Sequence, residues 1–316
     1  MKIIDSLDNL KIEEKTAVAL GNFDGIHIGH REIMKAALDA AKEQGMKSLC
    51  FTFSNHPFNF ILQRDDSDPD AVKLICTEDE KKELIEDMGF DILVNVPFDE
   101  TIMKMRAHDF FESIVRSKLN AGFVSVGFNY TYGARAEGKP AMLKEECEKA
   151  GIGVSIRDAV TMDGHVVSST LIREMISTGN MEMTAKLLGR PYSFAGTVSH
   201  GKRLGTRMGI PTINIPAPKR QMLPPNGVYF SRIKIDGKVY SSVSNLGSNP
   251  TVNEDGSVKK IETNIFDFDS DVYGKDVLVC FDHFSRGERK FRDKDELFAQ
   301  IARDCQNAIE YRQKAD

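Results

Sequence analysis

Two histidines and three glycines crowd the segment GNFDGIHIGH, residues 21–30. An apolar run precedes it and a run with helical periodicity follows it, so the segment predicts a strand, a tight turn and a helix start. A helix start offers unpaired backbone N–H groups and a partial positive charge, and both bind phosphate. His27 and His30 are three residues apart and can face the same side of the first helical turn. Their imidazoles could donate to phosphate oxygens and stabilise charge on a departing pyrophosphate.

The glycines of this segment favour the same interpretation, because Gly25 and Gly29 let the backbone approach a ligand closely. The segment is not a Walker loop, since it lacks the Gly-Lys-Ser/Thr ending. Two alternatives stay open on the residues alone. One is a tight turn with two ordinary surface histidines. The other is a zinc pair, for which the spacing suggests no third ligand.

Two further stretches of the first half could bind an anion. FTFSNHP, residues 51–57, places His56 directly after a predicted strand, at the carboxyl edge where open α/β sheets bind ligands. VSSTLIREM, residues 167–175, brings hydroxyls and an arginine to a predicted helix start, which suits an anionic ligand. The alternatives are a turn histidine and a Ser/Thr helix cap with a solvated arginine. The candidate residues of the second stretch are Ser168, Ser169, Thr170 and Arg173.

In the second half, residues 200–214 read HGKRLGTRMGIPTIN and predict a flexible basic loop that leads into a strand. Such a loop can surround phosphates with backbone N–H groups and cations. Thr212 and Asn214 would share one face of the strand, and two oxygen ligands on one face suit Mg²⁺. The alternative is a basic surface hairpin. The candidate loop residues are Gly201, Lys202, Gly205 and Gly209.

The candidate base of the second half is Glu262, in the predicted strand KIETNIFDF. Its carboxylate could take the proton from a primary hydroxyl that attacks ATP. Glu262 and Asn264 would lie on the same strand face. The alternative is an exposed strand glutamate.

The elements expected to position the first group of residues alternate between strand and helix. This alternation, with continuous apolar strands, predicts a parallel sheet covered on both faces. Gly45 is expected to end the first helix and Thr77 to cap the second. The predicted strands are 16–23, 47–54, 90–98 and 121–130, and the predicted helices are 31–45, 77–89 and 107–119.

From about Tyr192 the helical periods vanish, and short strands predict an antiparallel sheet closed into a small barrel. Asp236-Gly237 is a strong hairpin signal, and Asp255-Gly256 marks a further turn. A helix capped by Asp293 is expected to end the chain. The predicted strands are 192–200, 208–215, 227–235, 238–246, 259–268 and 276–284.

Length and composition limit the classes of protein that remain. The 316 residues suggest two domains, with a boundary predicted between 1–186 and 187–316. The net charge of -5 argues against a nucleic-acid binder. No apolar run approaches the roughly 18 residues that a membrane helix needs, and five cysteines without metal or redox spacing indicate a reducing compartment. We expect a soluble cytoplasmic protein without a membrane or nucleic-acid partner, and a weak homo-oligomer stays open.

The motifs of the first half resemble the nucleotidyltransferases that carry an H-x-G-H signature. More closely, they resemble the prokaryotic bifunctional riboflavin kinase/FMN adenylyltransferases, also called FAD synthetases. FSNHP matches the family loosely, and GFNYTYG, residues 127–133, matches it better. The matching residues of the first segment are Gly21, Phe23, Asp24, Gly25, His27, Gly29 and His30, and those of the later one run from Ser168 to Arg173.

This resemblance implies a Rossmann-like domain that transfers AMP from ATP to FMN, forming FAD and pyrophosphate. It implies that His27 and His30 hold the ATP phosphates with help from Arg173. It also implies that Asn129 lies near the nucleotide or the flavin. The chain departs from the family at Ala136, where many members carry arginine.

The second half resembles the riboflavin kinase domain of the same family, through GRPYSFAGTV, GIPTIN, NGVY, NLGSNPT, ETNIFDF and DVYG. The resemblance implies a β-barrel with a terminal helix that phosphorylates riboflavin with ATP and Mg²⁺. It implies that Thr212 and Asn214 bind Mg²⁺ and phosphates, and that Glu262 deprotonates the ribityl hydroxyl. The chain departs from the family at Thr206 and Asn264.

Three rival functions remain. The chain could keep the fold and only one of the two activities, or it could bind flavin without turnover. It could also transfer a nucleotide to another acceptor, such as an alcohol phosphate.

Overall fold

The computed structural model describes residues 1–65, 67–199, 212–248 and 259–315, except the side chains of Ser248, Lys294 and Ala315. Its contacts divide the chain into two units, Met1–Ser169 and Thr170–Asp316, called here the N-terminal and C-terminal units. This geometric division comes earlier than the predicted boundary at 186/187. The predicted boundary separates the two domains by their expected functions rather than by contacts, and it stays a prediction.

The N-terminal unit contains a six-stranded sheet in which every pairing is parallel, as predicted. The strand order is β1-β4-β3-β2-β5-β6. It reverses between β2 and β5, because β3 and β4 lie on one side of β2 and β6 lies beyond β5. In open α/β sheets the crevice at the carboxyl ends of two such strands is where ligands bind. The strands are β1 (Lys2–Ile4), β2 (Thr16–Leu20), β3 (Lys47–Phe53), β4 (Ile92–Val96), β5 (Ala121–Gly127) and β6 (Gly153–Arg157).

Helices cover both faces of this sheet, which explains why its strands read as continuous apolar runs. One face packs Met34 and Ile85 against Ala19 and Leu93, and the other packs Phe111 and Leu143 against Val18 and Val124. The helices are α1 (Ile28–Gln44), α2 (Pro57–Ile61), α3 (Glu78–Asp87), α4 (Glu100–Lys104), α5 (Ala107–Asp109) with a π-helix that follows it directly (Phe110–Lys118), and α6 (Pro140–Ala150). A 3₁₀ turn (Ala134–Ala136) and a hairpin of β7 (Thr161–Met162) and β8 (His165–Val166) complete the unit.

Two predicted helix ends are confirmed. Gly45 adopts a left-handed conformation with φ 65° after α1, and the Thr77 side chain accepts from the Glu80 N–H at the start of α3. The start of α1 was predicted at residue 31 and lies at Ile28 instead. The difference arises because His27 is the capping residue, a role for which histidine is not a usual signal.

The C-terminal unit contains an antiparallel sheet of six strands in the order β10-β13-β12-β11-β14-β9. The two edges meet, because Ser199 N–H donates to the Asn214 carbonyl across an antiparallel bridge at 2.8 Å. The predicted barrel is therefore confirmed. The strands are β9 (Tyr192–Thr197), β10 (Thr212–Pro216), β11 (Gly227–Ile235), β12 (Lys238–Ser248), β13 (Lys259–Ile265) and β14 (Asp276–Gly287). The helices are α7 (Ser169–Ser177), α8 (Met181–Leu188) and α9 (Lys294–Ala315).

The hairpin between β11 and β12 forms at the predicted dipeptide. Asp236 and Gly237 have φ values of 49° and 80°, the pair of positive angles that a type I′ turn requires. The Asp293 carboxylate accepts from Glu296 N–H at 2.8 Å and caps α9, also as predicted. The predicted turn at Asp255-Gly256 lies outside the described residues.

Helix α9 is held to the barrel by a buried ion pair. Asp304 is 2% exposed and accepts from the Arg286 guanidinium on β14, with contacts between 2.6 and 3.2 Å. Gln300 donates to the same carboxylate at 2.7 Å. Removing one partner of such a pair leaves a charge with little compensation, which costs more than the pair itself contributes.

We therefore expect Asp304→Asn to destabilise the C-terminal unit by about 2–3 kcal/mol, or roughly 6–12 °C in Tm. The matched control is Glu310→Gln, the same loss of one negative charge at an exposed position of α9. Calorimetry of the full chain measures both. Equal shifts for the two variants would mean that the Arg286 pair does not stabilise the unit.

Candidate active sites

The predicted phosphate-binding turn joins β2 to α1 at the carboxyl edge of the parallel sheet. Three of its residues have positive φ: Phe23 at 49°, Gly25 at 82° and Ile26 at 40°. Positive φ is strained for a phenylalanine and more so for a β-branched isoleucine. The Phe23 and Ile26 side chains are fully buried, so core packing holds the strained turn in place.

Close packing leaves little room for side chains at the glycines of this turn. A Cβ on Gly25 would lie 2.8 Å from the Ile75 side chain, and one on Gly21 would lie 2.7 Å from the Phe23 ring. A Cβ on Gly29 would lie 3.2 Å from the His27 ring. Gly29 therefore lets the His27 ring lie against the first turn of α1.

The turn brings His27 and His30 together. Their rings stack with centroids 3.5 Å apart, and the planes differ by 18°. His27 caps α1, and its Nδ1 accepts from the His30 backbone N–H at 3.1 Å. Because Nδ1 is an acceptor, the proton of neutral His27 lies on Nε2. Both imidazoles thus lie beside the unpaired N–H groups of the helix start.

The surroundings of His30 favour its neutral form in the free protein. Burial, then the charges of His27 and Lys81, hold the pKa of His30 well below its usual value, although part of the side chain remains accessible. His30 Nδ1 is buried and has no hydrogen-bond partner among the described residues. An arriving anion would stabilise the protonated form and raise this pKa.

Phe23 and Asp24 hold the turn in place through packing and hydrogen bonds. Phe23 is buried and meets the His30 ring edge-on at 5.4 Å between centroids. Asp24 is 5% exposed, and its carboxylate accepts from Ile75 N–H at 2.9 Å. Ser169 Oγ donates to the Asp24 carbonyl at 3.1 Å, which links the predicted serine segment to the turn.

The other predicted residues of that segment lie at α7. Ser168 directly precedes the helix, whereas Thr170 and Arg173 lie on it and belong to the C-terminal unit by their contacts. Their roles toward a nucleotide stay predictions.

His56 and Asn129 lie at the same sheet edge as the histidine turn. His56 follows β3 and caps α2 with its backbone, and Asn129 follows β5 by two residues and is exposed. Since β2, β3 and β5 are adjacent and parallel, their carboxyl ends meet at one edge. Ala136, the departure from the family, and Arg135 beside it are both exposed at the 3₁₀ turn.

Lys81 is a residue of this site that sequence reasoning missed. It lies on α3, is 8% exposed, and its Nζ donates to the Phe53 carbonyl at 2.5 Å. In the sequence it belongs to the charged run EDEKKE and cannot be told from its solvated neighbours. Lys81 lines a small cleft with Asn22, Asp24, Phe53, Asn55 and Cys76.

In the C-terminal unit, strand register assembles the second site. Asn214 on β10 pairs with Glu262 on β13, and Thr212 pairs with Asn264. Directly paired residues lie on the same sheet face. The two candidate metal ligands and the candidate base, which the sequence left on separate strands, therefore share one face.

The register adds Asn245 to this face, because Glu262 pairs with it on β12. Glu262 is half-buried, and its carboxylate has no hydrogen-bond partner among the described residues. Asn264 lies under α9, where the Cys305 thiol is 3.8 Å from its Oδ1. Gly201, Lys202, Gly205 and Gly209 lie outside the described residues, as does Thr206.

A zinc site at His27 and His30 would need at least a third ligand, and the structure does not supply one among the described residues. Within the described ranges, no group of three or more His, Cys, Asp and Glu side chains could hold a metal ion.

The two halves of this chain thus define two domains. The first is a Rossmann-like α/β domain with a glycine-rich strand–turn–helix of the kind that binds phosphates, and the second is a β-barrel domain. A FAD synthetase family model matches residues 9–171, and a riboflavin kinase family model matches residues 188–312. The chain belongs to the bifunctional riboflavin kinase/FMN adenylyltransferase family, with a FAD synthetase domain followed by a riboflavin kinase domain.

Several relatives align with nearly the whole chain. The bifunctional riboflavin kinase/FMN adenylyltransferase of Bacillus subtilis is 33% identical over 300 residues, which cover 95% of this chain and 93% of the relative. The Escherichia coli K12 protein of the same name is 30% identical over 314 residues and 98% of each chain.

A crystal structure of a Streptococcus pneumoniae protein named as a macrolide-efflux protein is also similar. Its TM-score is 0.86 at 30% identity, and the alignment covers 96% of this chain and 97% of that one.

Over the part of this chain that the structure describes, no helix has the length and apolar character to cross a membrane.

Proposed function

We propose that this protein makes FAD in two steps, each in its own domain. The barrel phosphorylates riboflavin to FMN with ATP, and the Rossmann-like domain adenylylates FMN with a second ATP and releases pyrophosphate. The observation that carries the proposal is that each family domain contains its own set of reactive groups. These are the stacked histidines at the start of α1 and the shared face of Glu262, Thr212 and Asn214.

In the adenylylation step, the phosphate of FMN attacks the α-phosphorus of ATP and the bond to pyrophosphate breaks. The attacking phosphate is already nucleophilic, so no covalent enzyme intermediate is needed. The rate then depends on positioning and on stabilisation of charge. Nε2–H of His27 can donate to a phosphate oxygen. Neutral His30 can donate from one ring N–H, and a proton taken up from solvent would add a second donor and a positive charge.

In the phosphorylation step, the primary hydroxyl of the ribityl chain attacks the γ-phosphorus of ATP, and the bond to the β-phosphate oxygen breaks to release ADP. The carboxylate of Glu262 takes the hydroxyl proton, and the half-buried position leaves it accessible to a substrate. The neutral oxygen donors of Thr212 and Asn214 fit Mg²⁺, which prefers oxygen and would neutralise charge on the ATP phosphates. These two residues are the ones we propose to hold the ion.

The flavin ring of FMN needs an apolar surface, and the chain has no tryptophan to supply one. Phe58 on α2 and Phe128 after β5 are 48% and 47% exposed, which is unusual for phenylalanine. Both follow strands that end at the functional edge, next to His56 and Asn129. We propose that the ring stacks on one of these two side chains.

The expected location is the cytoplasm. None of the five described cysteines forms a disulfide bond, which supports a reducing compartment. The net charge of -5 supports small-molecule substrates rather than nucleic acid. A weak homo-oligomer stays a hypothesis.

The direct test is a time course with purified protein, riboflavin, ATP and Mg²⁺, in which chromatography resolves FMN and FAD. We expect FMN to appear first and FAD to follow. A matched reaction that starts from FMN isolates the second step. FMN that accumulates without FAD would contradict the adenylylation proposal, and FAD formed only from supplied FMN would contradict the kinase proposal.

A further inference from the structure

We propose that Lys81 is a positioning residue of the adenylylation site. Its buried ammonium group connects the carboxyl end of β3 to the histidine turn and sets the electrostatic state of the histidine pair. The kinetic test of this inference measures FAD formation and therefore rests on the proposed adenylylation activity. Its second test, on the free protein, does not.

The burial of Lys81 is the first reason. Lysine is almost never fully buried without a partner, because desolvating an ammonium group costs several kcal/mol. Its neighbour Lys82 follows the ordinary pattern, with a 30% exposed side chain paired to Glu78 at 2.8 Å. A position with only a packing role would be filled more favourably by an apolar residue of similar length.

The contacts of Lys81 are the second reason. Its Nζ donates to the carbonyl of Phe53, the last residue of β3. Asn22 and Asp24 of the histidine turn line the same cleft as Lys81. Thr52 Oγ1 donates to the Asn22 carbonyl at 2.8 Å, so β3 and the turn are also joined directly. Lys81 therefore lies close to the carboxyl ends of β2 and β3, which together form the proposed site.

The charge of Lys81 is the third reason. Asp24 is buried beside it, and the carboxylates of Asp24 and Glu78 favour its protonated form. Burial opposes them and lowers the pKa of Lys81 below its usual value.

The positive charge of Lys81 also acts on His30. The groups that lower the pKa of His30 are its own burial, His27 on the same turn, and Lys81 from α3, while the Phe23 ring edge packs on it without charge. Lys81 thus helps to keep His30 neutral until an anion arrives. The same positive charge favours the anion itself.

The kinetic test compares Lys81→Met, which removes the charge and the donor, with the control Lys82→Met on the adjacent, partly exposed residue. We expect kcat/KM for FAD formation from FMN to fall roughly 10–100-fold in Lys81→Met, since small displacements of binding groups can cost about that much. Lys82→Met should stay within about twofold of the wild type. Riboflavin phosphorylation, measured in the same preparations, should be unchanged in both.

The second test measures the pKa of His30 in the free protein by NMR titration of the imidazole signals, assigned with a His30→Asn variant. We expect the pKa of His30 to rise in Lys81→Met and to stay at the wild-type value in Lys82→Met. A purely structural lysine would not produce this shift in a folded variant. Circular dichroism melting shows that each variant is folded.

Lys81→Gln covers the case in which Lys81→Met does not fold, because its amide can still donate to the Phe53 carbonyl but carries no charge. It should be folded, raise the pKa of His30 and lower kcat/KM. A folded charge-free variant with wild-type FAD formation and an unshifted His30 would overturn the inference. A wild-type protein that makes no FAD would instead overturn the proposed function, and the titration would still decide the role of Lys81.

Discussion

Glu262→Gln is expected to lower riboflavin phosphorylation by roughly 10²–10⁴-fold, the usual contribution of a general base. The substitution keeps the size and shape of the side chain but removes its ability to take a proton. Glu262 lies between Asn214 and Asn245 in the strand register, so an amide at this position introduces no steric conflict. FMN adenylylation should be unchanged, because the histidine pair proposed for that step lies in the N-terminal unit.

Chromatography of FMN and FAD from separate riboflavin and FMN reactions measures both rates in one preparation. Glu310→Gln on the exposed side of α9 is the matched control, since it makes the same chemical change in the same unit. Riboflavin phosphorylation at the wild-type rate in Glu262→Gln would eliminate this residue as the base. Loss of both activities together would indicate a folding defect, which a melting curve detects.

His30→Ala is expected to lower FAD formation from FMN by roughly 10²–10³-fold, the usual cost of removing one preorganised donor to developing charge. The ring of His30 stacks on His27, and its Nδ1 is buried without a partner among the described residues. The substitution leaves the cap of α1 intact, because His27 Nδ1 accepts from the backbone N–H of residue 30. Riboflavin phosphorylation should be unaffected.

The matched control is His165→Ala, which removes an exposed histidine of the same unit from β8. Initial rates of FAD formation at saturating FMN and varied ATP separate kcat from KM. A large fall in kcat would support a role in the reacting state, and a rise in KM alone would restrict His30 to binding ATP. FAD formation equal to that of His165→Ala would contradict any role for His30.

The sequence by itself determined many of the elements and several of their local ends, although it placed the start of α1 three residues late. Gly45, Thr77 and the Asp236-Gly237 pair lie where predicted, because caps and hairpin turns depend on a few adjacent residues. The change from strand–helix alternation to short strands near Tyr192 determined the two architectures. The histidine and glutamate motifs were recognisable because their residue types and spacings are local properties.

Only the tertiary structure decided which motifs share a site. The order of β2, β3 and β5 brings the histidine turn, His56 and Asn129 to one edge. The register of β10, β13 and β12 places Asn214, Glu262 and Asn245 in one row. Pairing between strands that are distant in sequence leaves no local signal, because the same alternating pattern fits more than one register.

Burial likewise became visible only in the folded chain. Lys81 and Lys82 are adjacent members of one charged run, yet Lys81 is buried against the end of β3 and Lys82 stays at the surface. The helical period rotates neighbouring side chains by about 100°, so the direction of the sheet decides which lysine is enclosed. The sequence determined that α3 carries a lysine at this position. The packing of α3 on the sheet decided that the ammonium group of Lys81 lies at the proposed adenylylation site.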